Sequence, residues 1–175
     1  MGIDPDRTFK PINIAILTVS DTRGPDDDTS GDILAERVKA KGHRLAARAI
    51  EKDDADVLAK RLNNWIDDPA IDAVVCTGGT GLTGRDVTPE ALDRIKTRDI
   101  PGFGELFRMI SYRTIGTSTV QSRACAVVAR GTYIFALPGS NGAVKDGWDG
   151  ILDEQLDSRN RPCNFVELMP RLREV

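Results

Sequence analysis

The sequence is poor in the features that define several large protein classes. It holds one histidine, His43, and three cysteines, Cys76, Cys125 and Cys163, none of them at a zinc-ligand spacing. The cysteines are odd in number, far apart and without a C-x-x-C pair, which argues against a disulfide framework and predicts a reducing compartment, the cytoplasm. No run of about 18 apolar residues is present to span a bilayer, so no membrane partner is expected. Residues 1–7 are polar and predict no secretory leader. Met1-Gly2 would open a myristoylation signal, but Asp6 stands where that signal wants Ser or Thr. Neither sign of charge dominates: 24 basic and 27 acidic residues leave a net charge of -3, which offers no basic surface for nucleic acid. Aromatic residues make up only 5% and do not alternate with basic ones as in RNA-stacking platforms. There is no G-x-S-x-G nucleophile elbow.

What remains is ordinary globular composition, with 40% hydrophobic and 29% charged residues. At 175 residues the chain has the length of one domain, 1–175 with its core at about 10–165, long enough to bury roughly 70% of its unfolded surface. No linker, charge run or internal repeat divides it.

The run from Ile12 to Val19 is nearly continuously apolar, as in a parallel strand covered by helices on both faces. Thr29 or Ser30 can cap the helix that follows, which carries Ile33, Leu34 and Val38 on one face and stops near Gly42. Residues 44–50 read as a second strand. From Asp54 the spacing Val57, Leu58, Leu62, Trp65, Ile66 gives a helix with one apolar face. A third buried strand spans residues 71–76, and Thr88-Pro89-Glu90 opens another helix, with Thr as N-cap and Pro at the first helical position. Phe103, Leu106, Phe107 and Ile110 have helical period and read as core or subunit interface. Val127-Val128 and Tyr133 to Leu137 read as strands around the turn Arg130-Gly131, with a last helix after Ser140 and an irregular tail. Repeated strand-to-helix units predict a three-layer α/β/α sandwich on a mostly parallel sheet.

Two loops at the carboxyl ends of these strands stand out, because ligands gather at that edge of an open α/β sheet. Thr77-Gly78-Gly79-Thr80-Gly81 has three glycines in five residues. It reads either as a tight turn needing positive φ or as a phosphate cradle of backbone N–H groups and threonine hydroxyls. It is neither G-x-G-x-x-G nor a P-loop, since no Gly-Lys-[Ser/Thr] follows. Behind it lies Asp86, with Arg85 beside it, placed either to hold Mg²⁺ against phosphates or to stabilise the next helix N-terminus. Leu137-Pro138-Gly139-Ser140 repeats the pattern, as a turn with an N-cap or as a contact for a second anionic group. Ser20 and Asp21 end the first strand at the same edge, while the run Asp26-Asp27-Asp28 reads as solvated loop acids. His43 follows a helix end and reads as a surface imidazole near the dipole.

Taken in order, these motifs resemble the molybdopterin-binding family of molybdenum-cofactor biosynthesis, the MogA/MoaB type also found as the G domain of gephyrin. The resembling segments are Ile16-Leu17-Thr18-Val19-Ser20, Asp28-Thr29-Ser30-Gly31, Thr77 to Gly81, Asp86-Val87-Thr88-Pro89-Glu90-Ala91, Pro101-Gly102-Phe103-Gly104-Glu105, Gln121-Ser122-Arg123-Ala124 and Leu137 to Ser140. The absence of an extra domain is most like the MoaB branch. The resemblance implies a homo-oligomer, a hexamer rather than the trimer of the MogA branch, that binds molybdopterin. It implies that active members adenylylate this pterin phosphate with Mg²⁺ and ATP and release pyrophosphate. It implies catalytic and metal-binding roles for Asp86 and for a second acid in Ile50-Glu51-Lys52-Asp53-Asp54. Counting back from Val57 favours Asp53, counting forward from Arg48 lands on Lys52, and Asp54 stays open. Ser20, Thr77, Gly78, Gly79, Thr80, Gly81, Ser122, Pro138, Gly139 and Ser140 would line the ligand cleft. The expected pathway partner is a MoeA-type molybdate-inserting protein. The alternatives are a non-catalytic molybdopterin carrier and a scaffold.

Overall fold

The structure, a computed structural model, describes residues 2–174. In chain order it contains β1 (Gly2–Ile3), β2 (Asn13–Val19), α1 (Thr29–Lys41), β3 (Arg44–Glu51), α2 (Ala55–Ile66), β4 (Ala73–Thr77), α3 (Thr88–Ile95), β5 (Arg98–Asp99) and α4 (Pro101–Ile115). A 3₁₀ segment, Gly116–Gln121, leads to β6 (Cys125–Ala129), β7 (Thr132–Leu137) and α5 (Asn141–Gly147), which widens into a π turn over Trp148–Leu152. The short α6 (Asp153–Gln155), β8 (Asn160–Arg161) and α7 (Phe165–Leu168) complete the fold.

Six strands form one sheet in the order β3-β2-β4-β7-β6-β5. β3, β2, β4 and β7 run parallel, β6 is antiparallel to β7, and β5 is antiparallel to β6. Strand side chains alternate between faces, and the two faces have separate partners. Ile14 and Ile16 of β2 join Leu34 and Val38 of α1 in one core, together with Phe103 and Phe107 of α4 and Val144 of α5. Ala15, Leu17 and Val19 join Leu58 and Leu62 of α2 and Leu92 of α3 in the other. Both faces are covered, which is why the β2 run carries no polar alternation. Each fully buried leucine contributes about 1.5–3 kcal/mol. The expected α/β/α sandwich with a mostly parallel sheet is therefore the observed one.

Several local expectations are corrected. α1 is capped by Asp28, whose Oδ1 accepts from the Gly31 amide at 3.0 Å, and not by Thr29 or Ser30. Asp28 is buried, unlike the exposed Asp26 and Asp27, because its Oδ2 also accepts from the Thr18 hydroxyl and from Arg48. Val87 holds the cap position of α3 without a side-chain bond; Thr88 lies inside the helix and donates its hydroxyl to the Gly78 carbonyl at 2.9 Å. His43 is not a surface residue but 5% exposed: Gly42 ends α1 in the left-handed region and turns the imidazole inward against Phe9. The tail is not irregular throughout, since β8 pairs antiparallel with β1 and Ser158 receives a backbone bond from Lys10. Of the α4 stripe, Phe103 and Phe107 are core, while Leu106 is exposed. Ser140 caps α5 as expected, accepting from the Ala143 amide at 3.2 Å.

Candidate functional site

The sheet brings the loops after β2, β3, β4 and β7 to one edge, since all four strands end there in the same direction. Gly78 and Gly79 have φ of 107° and 64°, the left-handed region in which a side chain is strained. Space is limiting too. A Cβ on Gly78 would collide with the Val19 carbonyl oxygen, and one on Gly139 would stand 3.3 Å from the Gly78 Cα. The two glycine loops thus touch backbone to backbone. The Gly78 amide donates to the Leu137 carbonyl at 2.9 Å, and the buried Thr77 hydroxyl lies 3.3 Å from the Pro138 carbonyl oxygen.

Thr80, Gly81, Ser122, Pro138 and Ser140 line a cleft of about 360 Å³ whose far wall comes from α4 and the 3₁₀ segment: Phe107, Ser111, Thr114, Ile115 and Thr119. Thr80 is 2% exposed and its hydroxyl has no hydrogen-bond partner among the described residues. Ser20 belongs instead to a second hollow of about 590 Å³, with Asp21, Arg23, Arg48 and Lys52. Its hydroxyl accepts from the Thr22 and Arg23 amides. Arg23 ties the two regions together by donating to the Ser30 hydroxyl at 2.7 Å and to the Gly139 carbonyl at 2.9 Å.

The acids take distinct positions. Asp54 is the N-cap of α2, accepting from the Asp56 and Val57 amides, and is used up by the helix. Asp53 faces the Gly-rich loop: a Cβ on Gly79 would lie 2.7 Å from its Oδ1. Burial, then the nearby charges of Asp21 and Asp86, push the Asp53 carboxyl above the ordinary carboxylate range. Asp86 faces Gly81, where a Cβ would lie 2.7 Å from its Oδ2. It does not cap α3. Its Oδ2 accepts from the Thr83 amide at 2.9 Å and the Thr83 hydroxyl at 2.6 Å, closing its own loop, and that hydroxyl chiefly holds its carboxyl below the usual range. Asp21 is held low by Arg85, which donates to both of its oxygens. Asp53 and Asp86 thus stand one on each of two glycines of the loop, while no group of three or more His, Cys, Asp or Glu side chains with metal-holding geometry occurs among the described residues.

Arg123 was not singled out from the sequence, although it lies in the Gln121-Ser122-Arg123-Ala124 segment. Its guanidinium donates to the Gly81 carbonyl at 2.7 Å and to the Asp86 carbonyl at 2.6 Å, and it pairs with Glu90. It is the clamp that sets the Gly-rich loop against the start of α3. Nothing in its spacing signals this, because its partners are backbone oxygens about forty positions away in the chain. Asp146 and the hydroxyls of the far wall were also not legible. Among the described residues no helix is long and apolar enough to cross a membrane.

Comparison with known proteins bears on what this edge serves. Residues 15–158 match the family model described as a probable molybdopterin binding domain. The chain is 49% identical over 157 residues to molybdenum cofactor biosynthesis protein B of Escherichia coli K12, covering 90% of this chain and 92% of that one. Among solved structures, a molybdenum cofactor biosynthesis protein B superposes with a TM-score of 0.83 at 38% identity, over 86% of this chain and 94% of the other. The tungsten cofactor synthesizing protein MoaB from Pyrococcus furiosus superposes with a TM-score of 0.78 at 33% identity, over 94% and 99%.

Proposed function

This chain belongs to the molybdopterin-binding family of molybdenum-cofactor biosynthesis, and on that footing we propose that it adenylylates molybdopterin with Mg-ATP. In this reading a terminal phosphate oxygen of molybdopterin attacks the α-phosphorus of ATP. The bond to the bridging oxygen breaks, and pyrophosphate leaves with the electron pair. Such a transfer asks a protein mainly for positioning and charge neutralisation. The observation that carries the reading is the juxtaposition of the Asp53 and Asp86 carboxyls with Gly79 and Gly81, on the same loop whose Thr80 and Gly81 line the 360 Å³ cleft.

Mg²⁺ suits this donor set, because it takes one or two carboxylates and fills its other positions with phosphate oxygens and water. Asp53, partly buried and facing the charges of Asp21 and Asp86 against that of Arg85, is a carboxylate whose ionised form a cation would favour. Asp53 and the free oxygen of Asp86 would hold it, and it would supply neutralisation of the phosphates. Thr80, Gly81, Ser122, Pro138 and Ser140 would bind the pterin side, with Thr77, Gly78, Gly79 and Gly139 as backbone frame and Ser20 in the adjoining hollow toward ATP. Exposed Met109 and Tyr112 on α4 and Val120 beyond it support a homo-oligomer; the choice of hexamer over trimer and of a MoeA-type protein as recipient of product rests on the family resemblance alone.

Purified protein given molybdopterin, ATP and Mg²⁺ releases pyrophosphate on this reading. Asp86→Asn retains pterin binding and loses about a hundredfold or more in rate. Identical rates in variant and wild type sink it. One feature favours a second reading, a carrier without chemistry: Asp86 and Asp21 are already engaged by Thr83 and Arg85. Tight molybdopterin retention with no pyrophosphate at any ATP concentration would establish that reading instead.

A further inference from the structure

The cleft that takes five of the expected ligand residues is lined by hydroxyls, glycines and apolar side chains, with a single charged residue, Asp146 of α5. That carboxylate is half-buried and held in place by α4. The Ser111 hydroxyl of α4 lies 3.1 Å and the Thr114 hydroxyl 3.4 Å from Oδ2. Both hydroxyls sit on one face of α4, three residues apart, and Ser111 is fully buried. Both approach Oδ2, so Oδ1 keeps its acceptor capacity among the described residues, on a residue that lines the cleft. The Ser111 hydroxyl holds the carboxylate, with the Thr114 hydroxyl at longer reach because it donates to the Ser111 carbonyl at 3.0 Å. In a mostly apolar hollow such a lone carboxylate is an acceptor suited to an N–H donor, since nothing basic lines the same hollow to neutralise it.

A second lining residue of the cleft has an unpartnered polar group. Thr80 lines the same hollow and is 2% exposed, and its buried hydroxyl makes no hydrogen bond among the described residues. Along α5, Asp146 lies about 9 Å beyond the cap residue Ser140 at 1.5 Å per residue, the scale of a fused bicyclic ring.

We infer that Asp146 reads the heterocycle, accepting from the adjacent 2-amino and N3–H donors of a 2-amino-4-oxopyrimidine edge, with Ser111 and Thr114 as its positioning residues. The inference rests on the molybdopterin reading above. A 2-amino-4-oxo edge presents a fork of donors to a carboxylate as a guanidinium does, and a 2,4-dioxo edge turns an acceptor on it instead. The residue therefore sets which ring is accepted and not whether phosphate is bound.

The test is anaerobic binding of molybdopterin, with pterin and lumazine, its 2-oxo counterpart, as competitors. Wild type binds molybdopterin and prefers pterin to lumazine by about tenfold or more, the fold expected of a hydrogen bond to a charged group. Asp146→Asn, of equal shape, weakens molybdopterin binding about tenfold and brings the pterin-to-lumazine ratio close to one. Ser111→Ala with Thr114→Val, which keeps the charge and removes what fixes it, lowers the ratio in the same direction. An Asp146→Asn protein that keeps the wild-type ratio, or that loses both competitors equally, overturns the assignment while leaving the molybdopterin reading standing. A wild-type protein that does not retain molybdopterin overturns both.

Discussion

His43 contributes a calculable part of this protein's sensitivity to acid. The imidazole is 5% exposed, its Nδ1 accepts from the Ile12 amide at 3.2 Å, and its Nε2 has no partner among the described residues. Burial, reinforced by the nearby Lys41 charge and opposed by Asp157 and Asp153, lowers its pKa from 6.5 to about 4. Protonating Nδ1 would also break the bond to the β2 entry at Ile12. The unfolded chain takes the proton near pH 6.5 and the folded one only near 4, so the unfolded state binds more protons between these values. Stability is therefore full above about pH 6.5 and falls as the pH drops toward 4. At 1.36 kcal/mol per unit, the linkage integral between pH 7.5 and 4.5 comes to about 2.5 kcal/mol.

Urea unfolding at those two pH values reads it directly, with His43→Gln as the reference that keeps an acceptor for the Ile12 amide and removes the titration. The loss on acidification should be about 2.5 kcal/mol larger in wild type than in the variant. Equal losses in both would refute the reasoning, because other acids contribute equally to each.

Two further perturbations address the frame around the cleft. Asp28→Asn leaves Arg48 and the Thr18 hydroxyl facing an amide where a buried carboxylate stood, and should cost about 3 kcal/mol in chemical denaturation, the low end for a broken buried pair because Arg48 is partly exposed. Arg123→Met removes the donors to Gly81 and Asp86; thermal unfolding should shift by the equivalent of about 1–3 kcal/mol, and phosphate-dependent binding should weaken further than pterin binding alone.

What the sequence made legible follows from how local each cause is. The β2 and β4 runs, the α2 face and the Gly-rich loop are each specified by neighbours within about a turn or a strand length, and all appear where expected. Of the second-acid candidates, Asp54 is consumed as a cap while Asp53 faces Gly79, a distinction that counting along the chain left open. The two caps differ from expectation for separate reasons: Asp28, as good an N-cap residue as Ser or Thr, bonds the Gly31 amide locally from within an acidic run that reads as solvated, while Thr88 gives its hydroxyl to the distant Gly78 carbonyl. His43 was misplaced because its burial depends on Phe9 and Ile12, more than thirty residues earlier. The short β5 and β8 strands carry no period to read, and the far wall of the cleft is made by helical residues whose apolar stripe signals packing alone.

The close approach of Gly78 to Gly139 limits how this pocket can be redesigned. A methyl group on Gly78 would collide with the Val19 carbonyl and one on Gly139 would press within 3.3 Å of the Gly78 Cα, so this part of the frame offers little to exchange, by selection or in the laboratory. Changes in ligand preference are more readily written on the walls, at Ser111, Thr114, Ser122 and Asp146, than on the glycine frame behind them.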